Sequence, residues 1–203
     1  MGRLEMFRVW QHLQLVGSAA VATIVFGVLM GVVAYLVAWM RTPILWVADL
    51  MQTIPVLALL GFIMLVFGPG ATTVITGIVL YSLLPVIRNT YVGLSGVSPA
   101  IKEAAQGMGM TKLQALLRVE LPLAAPIIFA GVRIAVVTAI GIAVFGAVAG
   151  GGGLGIVLNR AILTRDMNTL AIATAILMAM AISFYAAMSV IENYLRKRKG
   201  AKS

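Results

Sequence analysis

Side chains able to do chemistry are scarce in this chain of 203 residues. It holds one histidine, His12, and six carboxylates, Glu5, Asp49, Glu103, Glu120, Asp166 and Glu192, with no cysteine. The missing thiols remove disulfides, a cysteine nucleophile and thiolate metal ligation. An enzyme acting inside a membrane would need paired acids, a serine beside a histidine or lysine, or a histidine-rich metal cluster. His12 has no acidic partner nearby in sequence. The phosphate-cradling pattern Gly-x4-Gly-Lys-Ser/Thr is absent, and Gly152-Gly153-Leu154-Gly155 follows an apolar run rather than a strand, so it reads as a turn or hinge. No catalytic residue, cofactor or metal is expected.

The elements that must position these few groups are set by composition. Apolar residues make up 62% of the chain and charged residues 10%, with a mean hydropathy of +1.07. A soluble domain is roughly 45–50% apolar and about 25% charged, so the chain is an all-α integral membrane protein embedded in the lipid bilayer. Its net charge of +9 comes from residues flanking the apolar runs, which points to membrane topology and away from a nucleic-acid partner. No separate soluble domain fits, so residues 1–203 form a single transmembrane domain.

Uncharged runs predict five spans, over residues 13–39, 44–66, 72–87, 123–149 and 167–191. Phe67-Gly68-Pro69-Gly70 divides the second from the third, because glycine and proline end helices. The first run is too long for a signal-peptide core and has no small-x-small site before Trp39, so it reads as an uncleaved helix. Five spans put the termini on opposite sides. With the tail Arg196-Lys197-Arg198-Lys199 and Lys202 in the cytoplasm, ten basic residues lie inside against Arg3, Arg8, Arg160 and Arg165 outside. The N-terminus is then external, the C-terminus cytoplasmic, and Asp49 and Asp166 fall on opposite faces.

The longest polar stretch, residues 88–122, lies between spans three and four on the cytoplasmic side. It predicts two short amphipathic helices. Ser98 caps the first with Pro99 at its first position, and Ile101, Ala104, Ala105 and Met108 recur on one face. Gly107-Met108-Gly109 breaks it, Thr111 and Gln114 form a capping box for the second, and Leu121-Pro122 ends that helix before span four. Such a hairpin either docks a partner or packs only on its own helices.

Its residue spacing resembles a known pattern. Glu103-Ala104-Ala105, Gly109, Val119 and Leu121-Pro122 stand where the EAA loop of ABC-importer permeases has Glu-Ala-Ala-x3-Gly-x9-Ile-x-Leu-Pro, with valine replacing isoleucine at 119. Further stretches are similar to the permeases for glycine betaine, choline and carnitine: Gln52-Thr53-Ile54-Pro55, Leu57-Ala58-Leu59-Leu60, Tyr81-Ser82-Leu83-Leu84-Pro85, Arg88-Asn89-Thr90-Tyr91, Ala130-Gly131-Val132-Arg133 and Gly150 to Gly155. The family more often has alanine at Gly151 and aspartate at Ile156. The resemblance implies the type I ABC-importer permease fold, in a bacterial or archaeal cytoplasmic (inner) membrane. Implied partners are two ABC ATPase subunits, a second permease copy or paralogue and an extracellular or periplasmic substrate-binding protein. Glu103, Ala104, Ala105, Gly107, Gly109, Val119, Leu121 and Pro122 would couple to the ATPase, and Gln52, Pro55, Tyr81 and Pro85 would belong to the translocation pathway for quaternary ammonium osmoprotectants. The alternatives are a methionine or other amino-acid importer permease, and, from another class, an intramembrane enzyme or a scaffold.

The remaining groups have structural expectations. His12 is placed as an interfacial anchor at the outer mouth of span one, Asp49 either in a pair or cap or facing the cavity as a gate, and Arg133 in an internal salt bridge, for which the hairpin is one candidate partner. Gly27-x3-Gly31 and Gly146-x3-Gly150 permit close helix approach, and the twelve methionines are adaptable core filler.

Overall fold

A computed structural model of the chain describes residues 2–200. Lys202 of the basic tail, and the side chains of Arg3, Glu5, Arg196, Arg198 and Lys199, lie outside the described residues. The elements in order are α1 (Gly2–Leu36), α2 (Ala38–Thr53), α3 (Val56–Phe67), α4 (Ala71–Ser95), α5 (Pro99–Gly107), α6 (Lys112–Ala115), a π-helical turn (Leu116–Glu120), α7 (Leu121–Phe145), α8 (Leu154–Thr164) and α9 (Met167–Gly200). Among the described residues four helical stretches are long and apolar enough to span a bilayer, and the bent pair α2–α3 brings the number to five when its two halves are taken as one span.

The second span departs from the single helix predicted over residues 44–66. It is broken at Ile54-Pro55, and its halves meet at 105°. The cause is local. Proline clashes with a helical conformation of the residue before it, so Ile54 takes an extended ψ of 128°, and Pro55 brings no N–H to bridge the gap. The expected break after Phe67 is present. Gly68 turns the chain at φ +73°, its N–H donating to Met64 O at 2.9 Å, and Thr73 Oγ1 donates back to Gly68 O at 2.5 Å.

The core is a three-helix stack. At one end Leu15, Val16 and Ala19 of α1 meet Val74 and Ile78 of α4 and Ala139, Ile140 and Ala143 of α7. At the other, Leu94, Leu116 and Ala124 close around Tyr35 and Val32. Missing side chains allow the close approach. A Cβ on Gly31 would lie 2.5 Å from Thr90 Cβ, and one on Gly131 would strike the Pro85 carbonyl oxygen. α9 packs along α7 and buries little of its own surface.

At the hairpin, Pro99 occupies the first turn of α5 as expected, but the Ser98 side chain makes no cap hydrogen bond. The Thr111–Gln114 capping box is complete in both directions. Leu121-Pro122 does not end the second helix, contrary to expectation: residues 112–145 run on as one apolar helix. The π turn is what accommodates the proline. It shifts the Leu121 N–H to Leu116 O, one residue further back than an α-helix would use, and so opens the turn that the Pro122 ring would otherwise crowd.

Candidate functional site

The hairpin presents a divided surface. In α5 only Ala105 turns fully inward, at 1% exposure, and its carbonyl accepts the Met110 N–H at 3.2 Å. Glu103, Ala104 and Gly107 are exposed, as are Ile101 and Met108, and Leu113 and Leu117 extend the apolar ridge onto the following turns. Gly109 holds φ +79° between the two helices, a conformation that L side chains resist. Val119 and Leu121 are half-buried at the base and Pro122 is exposed. The predicted coupling residues thus separate into an outward rim on α5, a hinge at Gly109 and a base on the π turn.

Behind the rim sits a network that sequence reasoning missed. Lys102 of α5 donates through Nζ to Leu94 O at 3.2 Å, and the same ammonium lies 5.0 Å from the centre of the Tyr35 ring. Tyr35 Oη donates to Glu120 Oε2 at 2.5 Å, and Glu120 is buried at 8% exposure. A glutamate between Val119 and Leu121, in an otherwise apolar register, is the signal that marks it.

Three of the predicted pathway residues, Gln52, Pro55 and Tyr81, meet at the break in the second span, while the Pro85 carbonyl faces Gly131 of α7. Gln52 Nε2 donates to Tyr81 O at 3.0 Å, and Tyr81 Oη donates to Gln52 O at 3.3 Å. Pro55 makes the bend, and the Pro85 carbonyl accepts Asn89 Nδ2 at 2.8 Å. One turn from Gln52, Asp49 takes both carboxylate contacts from Arg88 Nη2, at 2.8 and 2.9 Å. Arg41 stacks 4.9 Å above the Tyr91 ring on the same pair of helices, α2 and α4.

At longer range one sequence expectation fails and another finds a different partner. His12 is not an interfacial anchor: it is fully buried, with Nε2 3.2 Å from Ile140 O. The glycine-rich turn covers it, and that turn is pinned where the Gly153 N–H donates to Gln11 Oε1 at 2.9 Å. Arg133 does form an internal salt bridge, but to Glu192 of α9 at 3.2 Å, with the Tyr185 ring 4.9 Å away, so it ties span four to span five and not to the hairpin.

This geometry, a helical core with an outward hairpin between its third and fourth spans, has known counterparts. A family model described as binding-protein-dependent transport system inner membrane component matches residues 23–200. The chain belongs to that family. Among curated relatives, this permease is 43% identical over 79% of its length, and 77% of the other chain, to the osmoprotectant import permease protein OsmW of Salmonella typhimurium. It is 44% identical over 91% of its length, and 82% of the other chain, to the choline transport system permease protein OpuBD of Bacillus subtilis. To the carnitine transport permease protein OpuCD of Listeria monocytogenes it is 39% identical, over 96% and 84% of the two chains. Its fold matches a chain of the MetNI methionine ABC transporter in inward-facing form, with a TM-score of 0.85 at 20% identity over 96% and 99% of the chains. The permease is therefore a non-enzymatic transport subunit of the inner membrane, with the type I ABC-importer fold.

Proposed function

We propose that this permease forms the translocation pathway for quaternary ammonium osmoprotectants, the class of glycine betaine, choline and carnitine. The observation that carries the reading is identity of 39–44% over most of the chain to permeases named for osmoprotectants, choline and carnitine. A methionine substrate is supported only by likeness at 20% identity, a level that speaks to fold alone.

The working unit is two permease subunits and two ATPases, fed by an extracellular or periplasmic binding protein. One five-span chain is too small to enclose a pathway, and this one has no nucleotide-phosphate loop. Residues 1–203 act as one transmembrane domain, with 88–122 as its cytoplasmic coupling loop. The exposed ridge of Ile101, Met108, Leu113 and Leu117, with Glu103 on its rim, suits a groove on each ATPase. Nucleotide state biases the two permease halves between inward- and outward-open arrangements. The pathway follows the α2–α4 face, where Gln52 and Tyr81 clasp beside the Pro55 bend and Pro85 stands one turn further along α4. Selection falls mainly to the binding protein, since the chain holds only 15 aromatic residues for cation–π capture.

The orientation has the N-terminus outside and the tail inside. Single-cysteine labelling in this cysteine-free chain tests it. A cysteine at Gly2 should react from the external face of intact cells, and reaction only after the membrane is opened would reverse the topology. For the assembly, native mass measurement of an active complex should return two permease chains; activity with one chain would overturn the pairing.

A further inference from the structure

Lys102, Tyr35 and Glu120 bring three separate elements to one point. Lys102 belongs to α5, Tyr35 to the last turn of α1, and Glu120 to the π turn at the base of α7. The Lys102 ammonium sits 5.0 Å from the Tyr35 ring centre, and the phenol of that ring donates at 2.5 Å to the buried Glu120 carboxylate. A cation over the ring and an anion at its hydroxyl polarise the phenol in the same sense, so the ring carries an indirect ion pair across the junction. The other ties of α5 are few: the Lys102 bond to Leu94 O, the burial of Ala105, and the Met110 N–H on the Ala105 carbonyl. An anion left unpartnered at the base of α7 would be costly, so the Tyr35 bond is strongly favoured.

We propose that Tyr35 and Glu120 are positioning residues that make α5, the end of α1 and the start of α7 move as one body, so that a displacement of the docking helix reaches the spans. Glu120 occupies the position that the Glu-Ala-Ala-x3-Gly-x9-Ile-x-Leu-Pro pattern leaves open, and it acts through Tyr35 rather than through contact with a partner. The inference rests on the reading that α5 docks an ATPase.

Two variants test it with little change of volume: Tyr35→Phe removes only the hydroxyl, and Glu120→Gln removes only the charge. Each is assembled with its ATPase and binding protein in vesicles, with retained ATPase, ATP hydrolysis and choline import measured together. Retention and hydrolysis should match wild type, while import per ATP falls about tenfold, the scale of one hydrogen bond to a charged group. The double variant should fall no further than either single one, because both cut the same link. A second readout is independent of substrate. Nitroxides at Leu36→Cys and Arg118→Cys, on the two sides of the Tyr35–Glu120 bond, should keep one distance between nucleotide-free and ATP-bound wild-type complex, and lose that constancy in Tyr35→Phe. Wild-type coupling in both variants, or loss of the ATPase from them, overturns the relay. Failure of the wild-type permease to retain an ATPase would instead remove the docking role of α5, on which the relay depends.

Discussion

Gln52 and Tyr81 hold each other by two hydrogen bonds of opposite sense, each side chain donating to the other's backbone carbonyl, at 3.0 and 3.3 Å. The clasp closes the last turn of α2, next to the Pro55 break, onto the middle of α4.

Tyr81→Phe deletes one bond of that clasp and leaves the ring. The expected cost is about 1 kcal/mol. Thermal unfolding should register this as a small downward shift, and Gln52→Ala should reproduce it. The two together should cost less than their sum, because either loss loosens the same junction.

Asp49 and Arg88 form a close ion pair whose side chains are 46% and 52% exposed. Such pairs contribute about 0.2–1 kcal/mol, so neither Asp49→Asn nor Arg88→Gln should unfold the protein. Import should decline in both singles and recover in the exchange Asp49→Arg with Arg88→Asp. Uptake assays on the four proteins check this, and a swap no better than the singles would show that the positions matter for more than their pairing.

Gly109→Val forces a β-branched side chain into φ +79°, at a cost of roughly 1 kcal/mol or more, and turns the base of the hairpin away from α5. Glu103→Lys reverses a charge on the exposed rim. Both variants should insert normally yet lose ATPase in co-purification, Gly109→Val the more completely.

Asp166 opens α9, its carboxylate accepting the Thr169 N–H at 3.1 Å and the Thr169 hydroxyl at 2.6 Å. Those bonds hold its carboxyl below the ordinary aspartate range. A depressed folded value stabilises at pH above the unfolded value, and the gain is lost as pH falls through the folded one. The protection of the Thr169 amide, measured against its intrinsic exchange rate at each pH, should therefore be high near neutrality and fall as pH drops through and below the ordinary aspartate range. In Asp166→Ala that protection should be low at every pH.

Local signals were read well from sequence because their physics is local. Thr111 with Gln114, Gly109 between two short helices, and Gly68-Pro69-Gly70 each act within a few residues, and each does what its chemistry dictates. The break at Pro55 is also local, but residues 50–66 hold no charge and continue the run from Ile44 to bilayer-spanning length, so the proline reads as one tolerated inside a single helix. Amphipathic α8 falls between the fourth and fifth predicted spans, where it is too short to register as a span, although Leu154, Val157 and Ala161 carry helical spacing. The burial of His12 was illegible because Ile140 and Gly153, which enclose it, stand more than a hundred residues away. A separation of 85 residues likewise hides the contact of Tyr35 with Glu120. The candidate site was legible through residue spacing on the hairpin, and its internal wiring was not.

Transport itself gives the most direct test. Vesicles carrying the permease, its cognate ATPase and its binding protein would be supplied with ATP and, in turn, labelled choline, glycine betaine, carnitine and methionine. Accumulation of at least one quaternary ammonium compound, dependent on ATP and without accumulation of methionine, is the expected result. ATP-driven accumulation of methionine with none of the three quaternary ammonium compounds would contradict the account.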